Sequence, residues 1–553
     1  MLSADGLAAL APPPEIPSAP EAVEVHELHD SFGLPESPLE EFDDLFDDLP
    51  AEEVLITEDS PPQAATFGKS NIIDNGADIS VSIDEGDDDD STLDDTVNVT
   101  FTVEDLLLET DIYLRTHGTT GALQRDDGGG FEDATENGNA IIPGDFNRIV
   151  LKMEAPEASD DEFAELWNSL FDEALMEFII DETLHTDGAE LKISATKIKV
   201  DGGTISTRNL ATGTTDHLNG ASEGDSGSLT LYGPQIRIKN GSKILTHSDS
   251  DSSQSGALEI TADGSLDDIT SGFVQAPILP ADLTITDAVV EIDNSLIRAG
   301  DIVVDVLSDS SDLYDDEESQ GTFDEAIQEY IAAISIGAGV AFSEATAELI
   351  VSDSDIEGDN IDLLSEAQTD AEAIVLTLYI AVAYGHSAPT SKITISDAST
   401  IKADGYLNVD SHAESDMSVY AQQALVGISN TVEKFNVTLN VAYSKLVSKI
   451  DVSSDSYIET TGSAVFNADA CKSHDNGSQA AANGDGTLGL AFNINVAFVD
   501  VDVLMDADAD VGSNLTLNAF YEATKNDATA SASAGDGTIF GGLQTNIRRV
   551  PVR

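Results

Sequence analysis

The chain repeats itself, and the spacing of the repeat limits what it can become. Leu191-x-Ile193 and Ile198-x-Val200 reappear as Leu229-x-Leu231 and Ile236-x-Ile238, all four apolar anchors displaced by the same 38 positions. Asp201-Gly202 after the first set matches Asn240-Gly241 after the second, and related pieces follow at Leu258-x-Ile260, Leu283-x-Ile285 and Val290-x-Ile292. Within each piece apolar residues alternate with polar ones, and a period of two puts one set of side chains on one face of a strand. The Gly, Asn, Asp and Ser between the pieces supply turns.

A second register begins near 331. Val340-Ala341-Phe342, Val382-Ala383-Tyr384, Val441-Ala442-Tyr443 and Val496-Ala497-Phe498 recur at intervals of 42, 59 and 55 residues. Each precedes an Asp/Ser-rich turn, and downstream of each come a glycine, Gly358, Gly405, Gly462 or Gly512, and more strand, as in Gly405-Tyr406-Leu407-Asn408-Val409. Periods of this size built from strands point to a solenoid or a propeller. The drift of 17 residues, from 42 to 59, suits a solenoid, which absorbs it in loops on one face, better than a blade of matched strands. The expected fold is mainly β, a right-handed parallel β-helix or β-solenoid, with a first register over 187–330 and the Val-Ala-aromatic register over 331–553. Gly484-Asp485-Gly486-Thr487 and Gly535-Asp536-Gly537-Thr538 lie 51 positions apart, so a fresh repeat opens near the end. Three of the last six residues are Arg548, Arg549 and Arg553, against 23 basic residues in all. The reading is of a chain cut mid-repeat from a longer one.

Ahead of the repeats, residues 1–96 are rich in Pro, Asp and Glu and are expected to form a disordered acidic leader. Leu39, Phe42, Leu45, Phe46 and Leu49 recur there at helical spacing, which reads either as a docking helix or as incidental hydrophobes in an acidic tail. Residues 97–186 read as a small α+β or capping region. Its Val97-x-Val99-x-Phe101-x-Val103 alternation is strand-like. Ser159 with Glu162 makes a capping box, and Phe163, Leu166, Trp167, Leu170, Phe171, Ala174, Leu175, Phe178 and Ile179 predict a helix over 160–181. Such a helix can cover the end of the array or belong to a separate small domain.

Charge excludes several functions. The chain has 105 Asp and Glu against 23 Lys and Arg, a net charge of -82, while 41% of its residues are hydrophobic, enough for a core. Phosphates must be neutralised by cationic side chains, so nucleic acid is excluded as a partner. A divalent cation or high salt would screen the self-repulsion, and calcium is the expected cofactor if there is one. One cysteine, Cys471, excludes an intrachain disulfide framework. The start lacks the basic-then-apolar pattern of a standard signal peptide. The longest apolar run, Ile374 to Tyr384, is shorter than the roughly 20 residues a spanning helix needs.

Candidate metal ligands follow from the acidic turns. Asp353-x-Asp355-x-Glu357-Gly358 places oxygens at alternate positions before a turn glycine, as a calcium loop begins, but Leu364 stands where the closing Glu belongs. Asp506, Asp508 and Asp510 before Gly512 share one face of a strand. Both sets also read as ordinary acidic turns. Cys471-x-x-His474 and His26-x-x-His29 fall short of a four-ligand zinc site. No nucleophile elbow, phosphate loop or dinucleotide fingerprint occurs. Arg237, Lys239 and Lys243 are the candidates for the basic group of a carbohydrate-active β-helix, and equally read as solvent-facing strand residues opposite Ile236 and Ile238.

Leu2-Ser3-Ala4-Asp5-Gly6-Leu7 resembles the second half of the Leu-Glu-Pro-Arg-x-Leu-Leu-Ser-Ala-Asp motif of the LEPR-XLL giant bacterial proteins. The Leu-Glu-Pro-Arg half is missing, and the match covers about six residues. The acidic Pro-rich leader and the Val-Ala-aromatic β repeats are similar to leukotoxin-like filamentous adhesins. The resemblance implies a secreted or cell-surface giant protein of a Gram-negative bacterium. It implies no active-site residues. The expected function is non-enzymatic, an adhesive or structural filament segment with a carbohydrate or protein surface ligand and no membrane insertion. The alternatives are a parallel β-helix lyase or hydrolase and a calcium-loaded secreted repeat protein.

Overall fold

Alternation in the sequence becomes alternation in burial. Ile380–Ser396 is one strand whose 17 residues switch without a break between half-exposed and buried. The structure, a computed structural model, describes residues 78–84, 96–102, 110–126, 130–136, 138–154, 176–264, 274–310, 336–423, 435–482, 488–534 and 540–549, less a few single or paired positions. Residues 71–553 form one unit. Each coil lays down three strands in turn, as in Glu190–Ser194, Lys197–Asp201 and Thr204–Ser206. The next coil repeats them at Leu229–Tyr232, Gln235–Lys239 and Lys243–Leu245. Leu191 sits beside Leu229, Ile198 beside Ile236 and Ile205 beside Ile244, all in parallel. The 38-residue displacement is therefore one coil of a parallel β-solenoid. Its strands make a first sheet of 11, a second of 13 and a third of 8. Among the described residues antiparallel pairing is confined to the N-terminal strands and to Val274–Ala276.

The coils widen along the stack. First-sheet strands grow from 5 residues at Glu190–Ser194 to 17 at Ile361–Thr377 and 19 at Ala464–Ala482, while third-sheet strands stay at 3 or 4. With about 4.8 Å between strands and about 3.3 Å per residue, the parallel first-sheet strands climb roughly 45 Å, and one 17-residue strand reaches about 55 Å across. Added residues go into breadth. The drift of the repeat sits between the first and second sheets, at 378–379 in one coil and 424–434 in the next.

Two long sheets can lie face to face only if the side chains between them fit. Near the third sheet the inward residues are Ile361, Leu363, Ile393 and Ile395, part of one continuous core; far from it a second cluster holds Ala341, Ala371, Ala373, Ala381, Ala383 and Ala442 with Met417 and Val419. Between the two lie buried hydroxyls. Ser391 Oγ is 2.8 Å from both Ser365 Oγ and Ser411 Oγ, and Ser411 Oγ is 3.0 Å from Ser448 Oγ. Ser391 also donates to the Ser365 carbonyl and Ser448 to the Ser411 carbonyl. Each hydroxyl buried this way needs a partner, and the facing sheet and the next coil supply it.

Corners have their own rules. Where the second sheet turns into the third, Asn240, Asn294, Asp353 and Asp397 take left-handed φ values of 61°, 45°, 46° and 53°, which Asn and Asp tolerate best among residues with a Cβ. Ser242, Ser295 and Ser354 follow, each buried and donating to a carbonyl one coil back, Val200, Ile238 and Ile292. Where the third sheet returns to the first, backbone rests on backbone. The Gly462 N–H donates to the Gly405 carbonyl at 2.7 Å, and a Cβ at 462 would lie 2.3 Å from that oxygen. At 512 it would lie 2.2 Å from the Thr461 oxygen, and at 358 2.8 Å from that of Gly300.

Three expectations need correction. The end of the expected helix, Met176–Ile180, is a second-sheet strand running parallel to Thr110–Tyr113 on one side and to Lys197–Val200 on the other. Phe178 is fully buried edge-on against Phe101, with ring centroids 5.2 Å apart. Ladder pairing on both sides overrides a helical pattern that ends in β-branched residues; the rest of that helix, 160–175 with Trp167, lies outside the described residues. Thr96–Thr102 and Arg148–Glu154 are first-sheet strands in parallel with Glu190–Ser194, so the solenoid runs through the expected boundary at 186/187. Asp78–Asp84, inside the expected leader, is a strand against Thr96–Thr102; residues 1–77 lie outside the described residues.

Gly462→Ala should lower stability by about 2–4 kcal/mol, since the clash is with backbone that other coils hold in place. A denaturant midpoint equal to wild type would contradict the stacked-corner account.

Candidate functional site

The Val-Ala-aromatic triplets lie in the second sheet, and the alternation sorts them. Ala341, Ala383, Ala442 and Ala497 are buried between the sheets, so the valine and aromatic residue on either side face outward. Phe342 stands beside His386 and His386 beside Tyr443 in register. Their rings stack, Phe342 on His386 at 4.2 Å and 8°, His386 on Tyr443 at 5.1 Å and 17°, with Tyr443 to Phe498 at 5.8 Å and 48°. Beside this row run Val382, Leu439 and Phe492, then Tyr384, Val441 and Ile494. Over 380–386, 437–443 and 490–496 there is no Asp or Glu. Burial, with Lys445 nearby, lowers the His386 pKa to about 4, so the row is uncharged at neutral pH. Its Nε2 lies 3.3 Å from Glu344, whose carboxyl burial pushes up.

The first sheet's outer face is acidic. Glu366, His412 and Asp469 stand side by side in successive coils. His412 Nδ1 is 2.7 Å from Asp469 Oδ2 and Nε2 is 3.7 Å from Glu414. The bond to Asp469 raises the His412 pKa to about 9 against the opposing effect of burial. Asn467 Nδ2 donates to Asp410 Oδ1 at 3.1 Å, and burial raises the Asp410 pKa. A shallow depression bounded by Asn467, Asp469, Asn518 and Phe520 opens beside this group. A protonated imidazole among carboxylates can bind a hydroxylated ligand or shuttle a proton.

The candidate calcium ligands lie on and beside the third sheet. Asp353 is the left-handed turn residue. Asp355 and Glu357 point outward around buried Ile356, and Glu357 is engaged by Arg298 at 3.0 Å. The row continues through Lys402, Glu459 and Asp510, with Lys402 3.4 Å from Glu459. Asp506 follows the strand Leu488–Met505, in the turn before Asp508–Val511, with its N–H on the Val452 carbonyl, and Asp508 and Asp510 are exposed. Among the described residues no three or more His, Cys, Asp or Glu side chains gather to hold a metal. Arg237 and Lys239 both reach Glu291, at 3.9 and 2.5 Å. Lys243 starts a third-sheet strand and is not gathered with them. Cys471 is half-buried on the outer side of its strand, whereas His474 is fully buried with Nε2 3.0 Å from Ser415 Oγ. His26 and His29 lie outside the described residues.

One cluster was not visible in the sequence. Arg208 is fully buried and its guanidinium donates to the carbonyls of His217, Leu218, Gly220 and His247 and pairs with Asp249. His185 packs on His217 at 4.5 Å. Burial lowers the pKa of His217 to about 4 and also lowers His185 and His247. The group clamps the chain's excursion between the coils at 206 and 229; only folding brings residues from 185 to 249 together.

No family model, no curated protein and no solved structure matches the chain. No helix among the described residues is long and apolar enough to cross a membrane.

The two perturbed histidines give opposite pH dependences. His386 is depressed below its unfolded value near 6.5, so its contribution to stability is complete above that pH and is lost as pH falls towards about 4. His386→Phe, which keeps a ring and takes no proton, should flatten that limb of the stability profile. His412 is raised, so its contribution is complete below about pH 6.5 and is lost as pH rises through about 9. His412→Gln should remove the alkaline slope. Denaturant midpoints across the range, with proton titration of both rings by NMR, check both.

Proposed function

We propose that this chain is a non-enzymatic, structural and adhesive segment of a larger secreted or cell-surface repeat protein. The observation that supports it most is the parallel stacking of coils from Thr96 to Arg549, with one register shift at Lys472/Ser473, which spends the chain on broad outer faces. The faces differ in chemistry: apolar and aromatic over 380–386, 437–443 and 490–496 of the second sheet and ion-paired elsewhere on it, acidic on the first, ion-paired on the third. A surface ligand, carbohydrate or protein, would meet one of them. The extracellular setting and the link to the LEPR-XLL proteins belong to the same proposal and rest on the N-terminal motif.

A carbohydrate-active enzyme is the second reading, and one observation favours it: Asp410, Asp469, Glu366 and charged His412 around the depression near Phe520. The proposal expects no reducing ends or unsaturated products from a panel of acidic and neutral polysaccharides. Turnover by the wild-type chain that disappears in Asp469→Asn would establish the enzyme instead.

Calcium would act, if at all, by screening the acidic faces rather than by filling a cage. Small-angle scattering of the full chain with calcium and with chelator should give the same scattering profile. Collapse or unfolding in chelator alone would make the ion structural.

A further inference from the structure

Among the described residues no element packs on the outer face of the second sheet over 380–386, 437–443 and 490–496, and the chemistry of that stretch limits what can cover it. Phe342, Tyr384, Leu439, Val441, Tyr443 and Phe492 occupy outward positions on four neighbouring strands. The partly exposed rings do not offer their flat sides to solvent: Phe342, His386 and Tyr443 stack face to face on one another. A sugar ring binds to an open aromatic face, so this row is not built for one. What a flat row of ring edges and branched aliphatic side chains can meet is another such sheet, packed at about 10 Å.

We infer that the second-sheet face is a self-association surface on which a second copy of this chain packs, sheet against sheet, about a two-fold axis. Charge selects the partner. Each copy carries -82, so two copies repel everywhere except where carboxylates are missing, and 380–386, 437–443 and 490–496 are free of them. A flat apolar sheet is also self-complementary, which an isologous contact requires. Four strands about 4.8 Å apart, apolar over about 25 Å of their length, present roughly 500 Å² on each copy. Two such faces reach the about 1,000 Å² expected of a specific contact, so a weak dimer in the micromolar range is expected rather than an obligate one.

The inference stands on this face and not on the adhesive reading. A monomer that still adheres sinks only the dimer, and a dimer that adheres to nothing sinks only the adhesion. Sedimentation velocity of the full chain from about 1 to about 100 μM should show a reversible monomer–dimer equilibrium. It should tighten at least tenfold between about 0.05 and about 1 M NaCl, because salt screens the repulsion and favours apolar burial. Leu439→Asp, at the centre of the face, should weaken it by at least about a hundredfold with an unchanged far-UV circular dichroism spectrum. The neutral Leu439→Ser, a small change on the outer side of a strand, should weaken it about tenfold, and Asp416→Asn on the first sheet should leave it unchanged. A chain that stays monomeric throughout, or association that weakens with salt, overturns the inference. So does a monomer that floats with neutral phosphatidylcholine vesicles, which would make a bilayer surface the occupant.

Discussion

Everything in this protein depends on parallel pairing between one coil and the next, held in register along the ladders except for one shift at Lys472/Ser473. In-register parallel strands satisfy their backbone groups above and below, and they also decide which side chains touch. Residue 361 meets 407, and 407 meets 464, so each inward or outward position becomes a row along the stack. A residue is then tested mainly against its equivalents in neighbouring coils. The rows can change character one at a time, which is how three faces of different chemistry coexist on one backbone.

The interior rows show the limits of that freedom. Close to the third sheet they are branched aliphatic residues; farther out Ala, Ser and Thr predominate, and the larger Met417 and Val419 fit because Gly385 faces them. In the last coils these rows turn to amides. Asn440 Nδ2 donates to the Gly477 carbonyl at 3.1 Å, and Asn493 Nδ2 reaches the carbonyls of Asn476 and Thr529 at 3.0 Å. Both amide atoms of Asn476 and the Oδ1 atoms of Asn440 and Asn493 are buried without a protein partner. Buried amides in that state are where ordered internal water is found. The distal rows are thus held by directional bonds where the proximal rows are held by apolar burial.

The sequence carries the coil plainly wherever coil and repeat coincide. The Leu191 and Leu229 anchors, the turn glycines at 358, 405, 462 and 512, and the alanine at the centre of each Val-Ala-aromatic triplet all report a row of the stack. The start of the solenoid was harder to read, because the coils at 97–101 and 149–153 match only as Val97-x-Val99-x-Phe101 against Ile149-x-Leu151-x-Met153. Phe178 and Ile179 extended a helical pattern until strands on both sides claimed them. The candidate site was least legible. Asp353, Asp355 and Glu357 looked like a ligand series because sequence spacing shows neighbours along a strand, whereas in this fold the decisive neighbours are one coil away. Glu357 answers to Arg298 and Lys402, and nothing local announces it.

That geometry also explains how so acidic a chain folds with so few bases. In-register stacking would set like charges about 4.8 Å apart in every coil, and directly opposed like charges destabilise a sheet. Several of the bases stand against acids of the next coil. Lys392 lies 2.8 Å from Glu348, Lys449 2.5 Å from Asp500 and Lys525 2.5 Å from Asp475, each pair spanning neighbouring coils. Arg298 and Lys402 serve the third sheet, and His412, held protonated, serves between Glu366 and Asp469. Exposed pairs of this kind contribute little singly. Their worth here lies in register: a slip of one residue would part each base from its acid and turn the outward set inward. The part of the second-sheet face over 380–386, 437–443 and 490–496 needs no such interleaving, because it contains no acid to separate, and that is why this stretch could become continuous and apolar while the same strands carry ion pairs farther along.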